Sequence, residues 1–295
     1  DIEKPHLVVF TGDQIMGNEC KQDSETALLK VLEPVITRKI PFAMVWGNHD
    51  DEGSLSRWEM SQIVAKLPYS IFRLSQHDTK DSKFGLGNYI QQIFTSEDQP
   101  AISLYFLDSH KYSSNPKIFP GYDWIKEEQW DYMRNYYETN LKKANEAYGG
   151  NHLSMAFFHI PLPEYLHFQS QQEPDKQNLV VGNYKEGITA PKYNSGGLKA
   201  LHDLKVSAVS VGHDHCNDYC LLEDSISKDE KIWLCYGGGG GEGGYAGYGG
   251  TERRIRIFEI DTQGNSIYTW KRLNGTPDEI FDHQTIVSDG VPNTA

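Results

Sequence analysis

Four short clusters hold the residues that could do chemistry. VVFTGDQ carries Asp13, VWGNHDD carries Asn48, His49 and Asp50, MAFFHIP carries His159, and VSVGHDHCND carries His213 and His215. Carboxylate, amide and imidazole groups without thiolates suit Zn, Mn, Fe or Ni, and fit neither an iron–sulfur cluster nor an all-thiolate zinc site. Singly, each group has a plain structural reading, since a strand-end histidine such as His159 or a turn aspartate such as Asp13 is usually structural. Jointly they resist it, because Asp13, Asn48, His159, His213 and His215 all stand where an apolar run stops. His213 and His215, at i and i+2, would share one face of a regular strand; on a turn they could serve two neighbouring metals.

The elements that must position these groups read as short buried strands: His6–Phe10, Ala43–Gly47, Leu104–Asp108, Met155–His159, Val206–Val211 and Ile232–Gly237. Apolar residues at helical spacing predict helices over about 25–38, 55–67 and 122–146. Strands alternating with helices predict parallel βαβ units, whose strand ends point the same way and gather their loops at one sheet edge. RRIRIFEI and SIYTWKRL alternate apolar and polar residues and, joined by DTQGN, predict an antiparallel hairpin with one solvated face. The class is therefore α/β, closing in an antiparallel (α+β) part.

With 295 residues, 38% hydrophobic and 12% aromatic, the chain is an ordered globular protein. No repeat or linker interrupts it, so one domain over 1–295 is expected. A net charge of −13 argues against a nucleic-acid partner. It leaves phosphate chemistry open, because bound divalent cations reverse the local field. No apolar run reaches the ~20 residues that span a bilayer. Cys20, Cys216, Cys220 and Cys235 are too few for a disulfide scaffold and are expected as mostly free, buried thiols, although Cys216 and Cys220 could bridge each other or Cys235. YGGGGGEGGYAGYGG, Tyr236 to Gly250, reads as a mobile loop or as one whose backbone N–H groups approach a phosphate, with Gly238 and Gly239 as candidate contacts.

The order Gly12-Asp13, Gly47-Asn48-His49-Asp50, His159, Gly212-His213-Asp214-His215 resembles the calcineurin-like metallophosphoesterase superfamily, whose motifs run D-x-H, G-D, G-N-H-D/E, H and G-H-x-H. The wording around them (FTGDQIMG, VWGNHDDEGS, FFHIPLPEY, GHDHCNDYC) resembles a narrower branch of fungal dose-dependent cell-cycle regulator phosphatases and plant relatives labelled purple acid phosphatases. The resemblance implies a four-layer αββα sandwich of two mixed β-sheets. It implies two divalent or mixed-valence ions of Mn, Fe or Zn type, with Asp13 bridging them. Asn48, His159 and His213 would complete one site and His215 would belong to the other. It also implies that His49, held by Asp50, binds the phosphate or protonates the leaving group. Two cations roughly 3.5–4 Å apart polarise a phosphoryl group and supply an in-line hydroxide, and an imidazole oriented by a carboxylate can act as general acid. Asp51 and Glu52 are left as a solvated loop face or as support behind the ligands.

The pattern departs from the family at its first motif, because no D-x-H precedes Asp13. Only one metal site is then fully encoded. The expectation is an N-terminally incomplete domain lacking its first strand, with any signal or anchor upstream of Asp1 and an intracellular compartment favoured. Asp108-Ser109-His110 is a D-x-H in the wrong place and is read as loop structure, with His110 or Tyr112 as candidate substrate contacts. GDQIMG lacks the tyrosine ligand of the purple members, so an Fe(III)–tyrosinate is not expected. The expected function is phosphomonoester hydrolysis, with phosphoserine or phosphothreonine proteins as the substrate and a regulatory role as the setting that the resemblance points to. A phosphodiesterase or small-metabolite phosphatase is the first alternative, and a catalytically decayed metal-binding interaction module the second.

Overall fold

A computed structural model describes residues 1–80, 83–95, 99–147, 152–171, 180–227, 230–242 and 251–294. The strands are β1 (Val8–Thr11), β2 (Phe42–Val45), β3 (Tyr89–Phe94), β4 (Pro100–Phe106), β5 (Leu153–Phe157), β6 (Val180–Val181), β7 (Ala208–Val211), β8 (Cys220–Ser227), β9 (Glu230–Tyr236), β10 (Arg254–Asp261), β11 (Ser266–Leu273), β12 (Phe281–Ser288) and β13 (Val291–Pro292). The helices are α1 (Ser24–Thr37), α2 (Arg57–Val64), α3 (Glu127–Tyr136), α4 (Lys142–Ala147) and α5 (Gly197–Asp203).

A seven-stranded mixed sheet, in the order β3-β4-β5-β7-β9-β8-β6, divides the core. Its centre, β4-β5-β7-β9, is parallel, and β3, β8 and β6 join antiparallel. The pleat sends alternate residues to opposite faces. Leu104, Phe106, Met155 and Phe157 thus enter a cluster shared with β1, β2, α1, α2, Ile267 and Ile286. Tyr105, Leu107, Ala156 and Phe158 enter a second cluster with Trp130 and Met133 of α3 and Leu198 and Leu201 of α5. Opposite the large sheet lie a parallel pair, β1-β2, and an antiparallel meander, β10-β11-β12-β13. The result is the mixed α/β sandwich expected of the fold, with helices on both outer faces.

Local signals place the helices. The Asp23 side chain caps α1 by accepting the Thr26 N–H, and Leu28, Leu32 and Val35 fill its buried stripe. A capping box between Ser56 and Glu59 starts α2. The expected helix over 122–146 begins later, at Glu127, because Tyr122 is engaged in a β-bridge with Tyr112. It continues through a wider π-type stretch at Tyr137–Leu141 into α4.

Two expectations need correction. Cys220 and Cys235 are directly opposed on β8 and β9 and form a disulfide, while Cys20 and Cys216 keep their thiols. The predicted hairpin is β10–β11, but at its open end the faces are inverted. Arg254 and Lys271 are buried and Ile255 is exposed. The cause is Asp218, a buried carboxylate that Arg254 Nε and Lys271 Nζ both reach; charge taken out of water must be paired.

Candidate metal centre

The four clusters meet at the ends of β1, β2, β5 and β7. After β1 the chain turns through Gly12, at φ +94°, into Asp13, itself at φ +53°. A side chain on Gly12 would collide with the imidazole of His159, and one on Gly47 with the carboxylate of Asp13. Both glycines are thus required by close approach.

Asp50 knots the first two loops together. Its carboxylate accepts the N–H groups of Asp13 (3.0 Å), Ile15 (3.1 Å) and Gly47 (2.7 Å). Burial, reinforced by the nearby Asp13 carboxylate, pushes its pKa up to about 7 despite those bonds. Asp50 therefore does not hold the His49 ring as expected. That partner is Glu52, whose Oε2 lies 2.8 Å from His49 Nδ1. The Asp50 side chain is turned inward by these three backbone donors, and the imidazole turns outward to the Glu52 carboxylate.

His159 is buried at the end of β5, and its Nδ1 lies 2.8 Å from the carbonyl of Thr11. That contact makes Nδ1 the protonated nitrogen, so Nε2 presents a lone pair. Nε2 lies 3.0 Å from Asn48 Oδ1, 3.2 Å from Asp13 Oδ2 and 3.2 Å from His213 Nδ1. Four electron-pair donors therefore crowd one point. Asn48 Nδ2 and His213 Nε2 are buried without hydrogen-bond partners. Without an ion, Asp13 and His159 favour each other's charged forms. Burial opposes ionisation of Asp13, yet the His159 imidazole holds its carboxyl far below the usual range. Burial likewise opposes charge on His159, but Asp13 raises its pKa. Burial and the adjacent His159 push His213 well down, leaving it a neutral donor. Asp13, His159 and His213 offer ligand atoms all within 4.8 Å of one another, and the set fits a divalent ion of the Mn, Fe or Zn type.

His213 sits at φ +74° in a turn, not on a regular strand. Asp214 beside it accepts the hydroxyl of Tyr236 at 2.5 Å and that of Thr189. His215 follows in the same turn but is not part of the convergent group of Asp13, His159 and His213. Its carbonyl accepts Arg254 Nη2 at 3.1 Å, and Gly239 lies against its backbone. Gly238, at φ +81°, borders Arg254. Residues 243–250 of the glycine-rich stretch lie outside the described residues.

Asp108 and His110 go elsewhere. Asp108 takes Arg57 Nη1 at 2.7 Å, Leu86 N at 2.8 Å and His110 N at 2.9 Å. The His110 ring faces Gln129 Oε1 at 2.7 Å. Tyr112, in contrast, reaches the site: its hydroxyl donates to Glu52 Oε1 at 3.0 Å. Its ring stacks on Tyr122, which meets His213 edge-on at a centroid distance of 4.3 Å. Glu52 and Tyr122 were not assigned functional positions from sequence. For Glu52 a signal existed, since it stands three positions after His49. For Tyr122 none did.

Residues 1–217 match the family described as Calcineurin-like phosphoesterase. "Phosphatase DCR2" of Saccharomyces cerevisiae is 64% identical over 296 residues, covering 100% of this chain and 50% of the yeast protein. "Probable inactive purple acid phosphatase 29" of Arabidopsis thaliana is 36% identical, covering 96% of this chain and 74% of the plant protein. An uncharacterized Schizosaccharomyces pombe protein is 33% identical over 97% of the chain, which spans 50% of it. The chain thus spans about half the length of both yeast relatives.

Proposed function

The chain belongs to the calcineurin-like phosphoesterase family, and from that premise we propose that it hydrolyses phosphate monoesters at the centre formed by Asp13, Asn48, His159 and His213. The observation that carries this reading is the convergence of Asp13, Asn48 and His213 on Nε2 of His159, a buried set of carboxylate, amide and imidazole groups of the kind that holds a divalent ion. When bound, divalent ions supply Lewis-acid polarisation of the phosphoryl group and an acidified water.

The chain's own residues do the rest. Thr11 and Asp50 fix the ligands through His159 Nδ1 and the Asp13 and Gly47 backbone. His49 stands at the rim with its Nδ1 on Glu52, which leaves Nε2 to face the phosphoester. A proton on that nitrogen is delivered to the leaving oxygen, and Glu52 stabilises the ring while it is charged. His215, in the turn that presents His213, is assigned to a second ion, and Gly238 and Gly239 line the mouth beside it. The 295 residues act as one catalytic domain in this reading, with phosphoserine or phosphothreonine proteins as substrates in a regulatory setting.

The plant relatives, which are named probable inactive purple acid phosphatases, favour a second reading, a metal-binding module without turnover. Hydrolysis of 4-nitrophenyl phosphate and of bis(4-nitrophenyl) phosphate, each with and without added Mn²⁺, separates the cases. Metal-dependent turnover of the monoester supports the proposal. Faster turnover of the diester replaces it with a phosphodiesterase, and stoichiometric metal without turnover of either leaves the binding module.

A further inference from the structure

The segment between β4 and α3 brings two tyrosines to the mouth of the metal centre. Tyr112 and Tyr122 form an antiparallel β-bridge, and the excursion between them is closed by Ser113 N to Gly121 O and Asp123 N to Lys111 O, both at 2.9 Å. Their rings stack with centroids 5.7 Å apart. One end of the pair meets His49, 6.4 Å from Tyr112, and the other meets His213. The rings of His49, Tyr112, Tyr122 and His213 thus form one continuous arc along the side of the site.

Tyr112 is 47% exposed, and its hydroxyl donates to Glu52. Its ring is held in place by the bridge and by that hydrogen bond. A preorganised aromatic face beside the reacting histidine is a stacking platform. We infer that Tyr112, backed by Tyr122, forms a leaving-group shelf that selects phosphoesters carrying a planar ring next to the phosphorus. This rests on the phosphomonoesterase reading for the position of the phosphoryl group. It adds the chemical class of the group that departs, an aryl oxide, and so stands in place of the aliphatic phosphoserine and phosphothreonine named with that reading.

Binding tests it apart from turnover. Dissociation constants of phenylphosphonate and ethylphosphonate, neither of which can be hydrolysed at the P–C bond by this chemistry, are measured by calorimetry on the Mn²⁺-loaded chain. Wild type should prefer phenylphosphonate by about 3–10-fold, the range that one aromatic contact supplies. Tyr112→Phe should keep that preference, since the ring remains, and Tyr112→Ser should lose it, the ratio of the two constants in each variant cancelling any change common to both ligands. Equal affinities in wild type, or a preference that survives Tyr112→Ser, overturn the shelf. Hydrolysis of phenyl phosphate by the same wild-type sample is scored separately. Its failure counts against the catalytic reading and leaves the phosphonate comparison to decide the shelf.

Discussion

The Nδ1 of His49 rests 2.8 Å from the Oε2 of Glu52, three residues further on, while the carboxylate of Asp50, one residue away, is spent on three backbone N–H groups. Two neighbouring acids thus hold different posts. One orients a ring and the other builds the loop that carries it.

Substitutions should separate those posts. His49→Ala should leave metal content intact and lower turnover by about 10²–10⁴. Glu52→Gln keeps the shape but loses the charge that supports the imidazolium, and should lower kcat by about 10-fold with metal content unchanged. Asp50→Asn should instead reduce bound metal, because the Asp13 loop loses its acceptor. Elemental analysis alongside kinetics reads all three; metal loss in the Glu52 variant would contradict the assignment.

Asp13→Asn should lower metal content per chain. Its carboxylate stands within 3.2 Å of His159 Nε2 and supplies the negative charge of the group with His159 and His213. An unchanged metal ratio would remove Asp13 from the centre.

Asp108→Ala should unfold the protein more readily without touching the metal. Arg57 and Asp108 are both buried, and Arg57 also holds the Gly47 carbonyl at 2.6 Å. Without Asp108, Arg57 keeps Asp51 at 3.2 Å and the Gly47 carbonyl but loses its shortest carboxylate contact, an effect of about 1–3 kcal/mol. Urea denaturation reads the loss. A variant as stable as wild type would show that the pair contributes nothing.

Asp78 should set part of the pH dependence of stability. It is 6% exposed, its Oδ1 has no hydrogen-bond partner, and burial pushes its pKa up to about 6. The folded state therefore disfavours its ionised form. That penalty is fully present above pH 6 and is relieved as pH falls through the folded value toward the unfolded value of about 4, a change of up to about 3 kcal/mol. Asp78→Asn should be more stable relative to wild type at pH 7.5 than at pH 4.5. Parallel denaturation curves at the two pH values would refute the assignment.

Removing the Cys220–Cys235 bridge, which closes a 15-residue separation, should lower stability by about 3 kcal/mol. The double variant Cys220→Ala with Cys235→Ala, compared with wild type with and without reductant, measures it. Reductant should destabilise wild type and leave the double variant unmoved.

The strands that carry the site were legible because parallel strands buried on both faces read as unbroken apolar runs, and because the ligands stand at their ends. β8 and α5 were missed for local reasons. CLLEDSIS turns polar halfway, and GLKALHD is too short to show a helical period. Within the site, residue types and order pointed to Asp13, Asn48, His159 and His213, whose convergence follows from topology. The partner of His49 was not legible. Which of three successive carboxylates meets the ring depends on where the loop's unsatisfied N–H groups point, and that is settled by the packing of β1 against β2. The Cys220–Cys235 pairing was hidden in the same way, since it needs the register of β8 on β9.

The hydrogen bond between the Thr11 carbonyl and His159 joins residues 148 positions apart, and Asn48 to His159 spans 111. Such contacts form late, after the intervening chain has found its sheet. His213 comes last of the four donors in chain order, so the centre stays incomplete until the strand that presents His213 has been made. An ion held by these residues would bind the folded chain and not the unfolded one, so its binding would add to the stability of the fold.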